Sequence, residues 1–269
     1  DSDTSNVDTT VTIAGLTFTD IQTLNLQLLS TIGLDSSADI TGADLTSVVV
    51  TGSGSFDLNS NTITGSSSTR VTLDASGASG VVTLNLDATN NGVANIQTGS
   101  ASDDITIDGI TSDGAGFVID TNESSDTITI SSNGDGATAV VNIDGGTGSD
   151  TLALDAGVDL SSGTLTLSSI ETIQLTGGGS SQKIAASDIS GRRFKLSESG
   201  AGTAVLTVVA DQTTINLANL TFDSSFAVGT DSTLVDASSA SAGVTMVIEL
   251  PNAMIKIFAS AVGGFENVI

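Results

Sequence analysis

The chain has 269 residues, 31 acidic and 6 basic side chains and a formal net charge of −25. A chain this acidic repels nucleic acid and anionic membrane surfaces and attracts divalent cations. Cys, His, Trp and Tyr are absent, which removes disulfides, thiolate metal sites and the commonest general base.

The acids are 26 Asp and 5 Glu. Aspartate suits turns, because its short side chain bonds nearby backbone, whereas glutamate suits helices. The hydrophobic fraction of 38% is too high for a disordered chain. No apolar run approaches the roughly 18 residues of a membrane span, so no membrane insertion is expected. Asp1 opens a polar stretch without the pattern of a signal peptide. Any export signal is therefore expected to be removed or to lie elsewhere.

In chain order, "TVTIAGLTF" (10–18), "TLNLQLL" (23–29), "TITI" (127–130), "TLALD" (151–155), "TLTL" (164–167) and "TIQL" (172–175) alternate Thr or polar residues with Ile, Leu or Val. Period two with β-branched residues predicts strands. Gly, Ser, Asp and Asn clusters between them predict turns. Strand openings recur at Asn61, Val82, Asp103, Asp126, Asp150 and Glu171, in steps of 21, 21, 23, 24 and 21 residues. A near-constant step of this size suits one coil of a parallel β-solenoid, with equivalent positions stacked about 4.8 Å apart. The expected fold is all-β: a solenoid of the β-helix or β-roll kind with coils of about 21–24 residues. The flanks could be sandwich-like. A sandwich or barrel is the competing fold.

A longer repeat overlies the short one. "DIQTLNLQ" (20–27) resembles "SIETIQLT" (169–176), and "LDASGASGVVTLNL" (73–86) resembles "VDASSASAGVTMVIEL" (235–250). The expected organisation is an N-terminal module (1–97), glycine- and aspartate-rich coils (98–166) and a C-terminal module (167–269) repeating the first. "VANIQTGSASDDITI" (93–107) finds its counterpart in "GFENVI" (264–269), where the sequence stops. The chain therefore reads as part of a longer precursor, or as one whose partner supplies the next coil.

"DGGTGSDTLALD" (144–155) sets Gly145, Gly146 and Gly148 ahead of Asp150 and an alternating strand. A glycine turn can offer carbonyls to a cation and the aspartate can close the site; the alternative is a plain turn into a strand. Ca²⁺ takes six to eight hard oxygens. Stacked coils would bring Asp103 or Asp104, Asp126 and Asp150 into one column, where carboxylates about 5 Å apart repel unless a cation lies among them. Asp144 and Asp155 are further candidate ligands, as are Asp120 and Asn122. Capping of turns in water is the competing role for all of them.

"GGTGSDTLALD" resembles the RTX nonapeptide GGxGxDxUx, and "GFENVI" resembles the segment that commonly leads into RTX repeats. "LDASGASGVVTLNLDAT" and "IETIQLTG" resemble coils of bacterial S-layer and other surface proteins exported by type I secretion. The resemblance implies a secreted protein with Ca²⁺ between coils, Asp150 as the side-chain ligand and Gly145, Gly146 and Gly148 as the turn. "TGSASDDITI" and "NESSDTITI" depart from the motif by losing most of its glycines, so one to a few sites are expected.

Four of the six basic residues lie in "KIAASDISGRRFK": Lys183, Arg192, Arg193 and Lys195. This patch could dock a neighbouring subunit or an anionic surface polysaccharide, or pair locally with Asp188 and Glu198. No nucleophile–base pairing stands out, and the eight Phe sit in apolar contexts. The chain is therefore expected not to be an enzyme. The preferred function is a secreted, calcium-dependent, self-assembling subunit of a surface layer, filament or matrix. A calcium-stiffened adhesin stalk and a β-helix enzyme acting on acidic polysaccharide are the alternatives.

Overall fold

The computed structural model describes residues 10–12, 16–29, 33–35, 39–58, 62–65, 70–87, 93–110, 116–132, 140–176, 179, 181–227, 230–238, 245–247, 255–258 and 267–268. Every strand pairing among them is parallel, and the chain is a β-solenoid. The first face is a sheet of ten strands, one from each successive coil, running from Thr10–Thr12 to Leu220–Phe222. It is continuous across residues 97 and 166. The first coils add a second face (Leu16–Phe18, Ile40–Gly42, Ile63–Thr64) and a third of seven strands, from Thr23–Leu28 to Thr164–Ser168. After residue 180 the second position is filled by Gln182–Ala185 and its successors, tied to the preceding coil through the bridge Asp159–Lys183. The turn of helix Ala186–Ile189 follows it.

The register confirms the period from Val82 onward. Thr83 pairs with Asp104, Asp104 with Thr127, Thr127 with Thr151 and Thr151 with Thr172. The first step differs. Val82 pairs with Phe56, not with the Asn61 opening, and Ile63–Thr64 belongs to the second face beside Ile40–Thr41. The coil from Phe56 to Val82 carries an extra strand, so its "NTIT" mimics an opening without being one. The longer repeat likewise joins different faces: Thr23–Leu28 lies on the third and Thr172–Thr176 on the first.

Alternation and parallel stacking together make the core. Leu84, Ile105, Ile128, Leu152, Ile173 and Leu196 form one inward column in register, each at most 1% exposed. Each such side chain contributes about 1.5–3 kcal/mol by leaving water. The alternate column beside it is Asp104, Thr127, Thr151, Thr172, Lys195 and Thr221, of which Thr172 alone is buried. Thr is at home there because its branched Cβ fits the pleated surface.

Two glycines of the motif are required by stacking. Gly146 (φ +75°) and Gly148 (φ +154°) lie directly on the corner below. A Cβ at Gly148 would stand 1.6 Å from the Ser124 carbonyl oxygen, and one at Gly146 1.9 Å from that of Asn122. The coil below solves the same bend with Asn122 (φ 61°) and Ser124 (φ 83°) in left-handed conformations. Gly191 (φ +76°) has nothing within 4 Å of its would-be Cβ. Thermal and urea melts are expected to show Gly148→Ala costing more than about 3 kcal/mol, since backbone would have to move. Gly191→Ala is expected to cost only the left-handed penalty of about 1–2 kcal/mol.

Candidate functional site: a buried acidic column

Three consecutive corners have one length: Thr98–Asp103, Thr121–Asp126 and Gly145–Asp150. Each aspartate shares the inward parity of the strand it opens, as Asp103 does with Ile105 and Ile107. The expected column of Asp103, Asp126 and Asp150 is therefore real, but it faces the core. The three are 3%, 1% and 0% exposed. The register extends it to Val82 on one side and to Glu171 and Phe194 on the other. Carboxylates thus fill four consecutive rungs of a column that is apolar at its flanks, three of them buried and the fourth, Glu171, exposed.

One bond per rung fixes them. Each carboxylate accepts the backbone N–H of the previous rung: Asp103 Oδ1 from Val82 at 2.7 Å, Asp126 Oδ1 from Asp103 at 2.7 Å, Asp150 Oδ1 from Asp126 at 2.8 Å and Glu171 Oε2 from Asp150 at 2.8 Å. The rungs are bound to one another by charge-assisted hydrogen bonds, stronger than neutral ones. The other oxygen, Oδ2 of Asp103, Asp126 and Asp150, is buried without a hydrogen bond. An unsatisfied buried oxygen costs about 1–3 kcal/mol, more when charged. Burial accordingly raises the pKa of all three. Asp126 is pushed from the ordinary 3.8 to about 6 by loss of water, against the pull of the Asp103 N–H, with Asp103 and Asp150 adding repulsion.

The other predicted residues fall elsewhere. Asp104 is exposed on the outer face. Asp144 ends the third-face strand Val140–Asp144 and its Oδ1 accepts the Gly146 N–H at 3.1 Å, as Asp120 does for Asn122 at 3.2 Å. Asp155 accepts the Thr176 hydroxyl at 2.7 Å. Gly145 packs its Cα against Asp150, where a Cβ would stand 2.6 Å from that of the aspartate. The turn carbonyls are engaged as well: that of Asn122 accepts the Thr147 N–H at 2.7 Å and that of Gly145 the Thr121 hydroxyl at 3.2 Å. As folded, the column offers a cation one unengaged carboxylate oxygen per rung, short of the six to eight that Ca²⁺ takes. Among the described residues no three acidic side chains converge as a metal-binding group.

Two acids that the sequence reading took only as partners of the basic patch are partly buried. Glu198 lies in register with the inward Leu175, beside Asp231, whose Oδ1 accepts the Ala204 N–H at 2.9 Å. Loss of water, then the charge of Asp231, raises the pKa of Glu198. Its parity with Leu196 agrees with this, since the two stand in register with the inward Ile173 and Leu175. Asp188, within the helical turn Ala186–Ile189, is pushed to about 6 by burial and by Asp211.

No family model, no curated protein and no solved structure matches the chain. The class stands on geometry: a parallel β-solenoid with a carboxylate ladder in its core.

Because the folded pKa of Asp126 lies above its free value, the folded chain holds that proton more tightly than the unfolded one. Its contribution is greatest below about pH 4 and is lost as pH rises through about 6. Asp126→Asn keeps an oxygen for the Asp103 N–H and removes the buried charge. The variant is expected to gain roughly 1–2 kcal/mol at pH 7 and to flatten the pH dependence of the melting temperature between pH 4 and 7.

Proposed function

We propose that the chain is a non-catalytic structural segment of a secreted protein that self-assembles into a surface layer, filament or extracellular matrix. The observation that carries this is the unbroken ten-strand stack. Its inward columns are buried, and its outward columns stack polar side chains such as Asp104, Thr127 and Thr151 in register. Regular faces suit packing of copies side by side. Lack of Cys and His leaves the fold indifferent to the redox state outside a cell.

Calcium enters this reading as a bridge between copies. Surfaces of chains carrying −25 repel one another. Only two ion pairs, Lys183–Asp159 and Lys195–Asp223, occur among the described residues. Exposed carboxylates such as Asp104, and Asp108 beyond its bond from the Ser132 hydroxyl, therefore offer oxygens to a divalent ion shared by two copies. In this reading the buried column holds the coil together and the outer acids assemble it.

Negative-stain electron microscopy in millimolar Ca²⁺ and in excess chelator tests the reading. Ordered polymers that dissolve in chelator are expected, and monodisperse particles in both conditions would overturn it. Asp150→Asn is expected to polymerise with unchanged calcium dependence. A calcium requirement shifted by this substitution would put the ion in the glycine corner instead.

A further inference from the structure

The basic residues do not share one role. Arg70 sits 4.3 Å from the ring centre of Phe117 and donates to the Gly116 carbonyl. Arg192 donates to the carbonyls of Asp188 and Leu167 and lies 5.0 Å from the ring centre of Phe194. Lys183 pairs with Asp159 at 2.9 Å. These are bound into the coil. Arg193 has no hydrogen-bond or ion-pair partner among the described residues. Lys195 reaches Asp223 only at 4.0 Å, with both side chains well exposed, a contact worth little in water.

Arg193 and Lys195 open into one groove of about 390 Å³ on the first face, shared with Glu171, Asn219 and Thr221. That volume lies in the range of small-ligand sites. The groove spans three coils, because Lys195 is in register with Thr172 on one side and Thr221 on the other. Its polar groups differ from end to end. Two cations offer charge-assisted bonds to an anion. Glu171 stands fixed by the Asp150 N–H at 2.8 Å and can only accept while ionised. Asn219 donates its Nδ2 to the Gly191 carbonyl at 3.2 Å, which leaves its Oδ1 to accept.

We propose that this groove binds a carboxylated sugar chain of the uronate type. The carboxylate takes Arg193 and Lys195, and the ring hydroxyls donate to Glu171 and the Asn219 Oδ1. Only a ligand with both groups satisfies the groove. A neutral sugar leaves the cations unanswered. A densely charged polyphosphate or nucleic acid meets the Glu171 carboxylate and the field of a −25 chain. The proposal rests on the extracellular reading for its source of ligand, but not on assembly.

Calorimetric titration with trigalacturonate, in chelator and at concentrations where the chain is dispersed, tests it. Galactotriose and tripolyphosphate are the comparison ligands. Trigalacturonate is expected to bind, galactotriose and tripolyphosphate to bind at least about tenfold more weakly, and added salt to weaken the complex. Arg193→Gln and Lys195→Gln are each expected to lose about tenfold or more in affinity with unchanged melting temperature, as neither side chain holds the coil together. Lys183→Gln, outside the groove, is expected to bind as the parent does. No binding by the parent at millimolar ligand, equal binding of galactotriose or tripolyphosphate, or full affinity in both groove variants would overturn the assignment. Because binding is read on dispersed chains, a failure here is distinct from a failure to polymerise.

Discussion

A carboxylate that accepts the backbone N–H of the coil before it is the contact on which the middle of this solenoid depends. Parallel strands bind each rung to the next, and backbone bonds such as Thr147 N–H to the Asn122 carbonyl join the corners as well. At Asp103, Asp126 and Asp150 the corner is pinned by a side chain of the following coil. The bond also fixes which way the strand faces. A slip of one residue would send the carboxylate outward and Ile105, Ile128 and Leu152 with it.

The same contact stores a penalty. A purely apolar column, as at Leu84 through Leu196, needs no hydrogen bonds and costs nothing to neutralise. The acidic rungs exchange some of that stability for register, and the unengaged Oδ2 atoms record the cost. Protonation of Asp126 removes part of it, so this group favours the folded coil more in mild acid than at pH 7. Inner and outer acids thus stand in different surroundings: the inner ones are cut off from water, and the outer ones such as Asp104 are exposed.

The period was readable where turns are short and equal. From Val82 to Glu171 each coil opens with a polar residue, Thr or Asp, and an Ile or Leu, and the register follows that sequence rung by rung. It failed at Asn61 because a coil with three strands holds more than one Thr-Ile pair, and period alone does not say which belongs to which face. The column was readable as a column, but its direction was not drawn from the parity of Asp103 with Ile105 and Ile107. Charge suggested an ion-binding row without giving its direction, whereas strand alternation dictates an inward one. Glycines 146 and 148 carried a third ambiguity. A bend that must lie flat on the coil below and a bend that cradles a cation select the same residue, and only the stacked neighbour, with Asn122 and Ser124 in left-handed conformations, separates the two demands. Glu171 was in the series of openings all along, but its longer side chain concealed that it completes the ladder.

Backbone amide hydrogen exchange, read residue by residue by NMR, tests the ladder most directly. If buried carboxylates hold the corners, the amides of Asp103, Asp126 and Asp150 exchange only through global unfolding, as slowly as those of Ile128 and Leu152 within the strands. Exchange of these three amides as fast as that of exposed corner residues would mean that the rungs are not bonded, and that the register is set by the apolar columns alone.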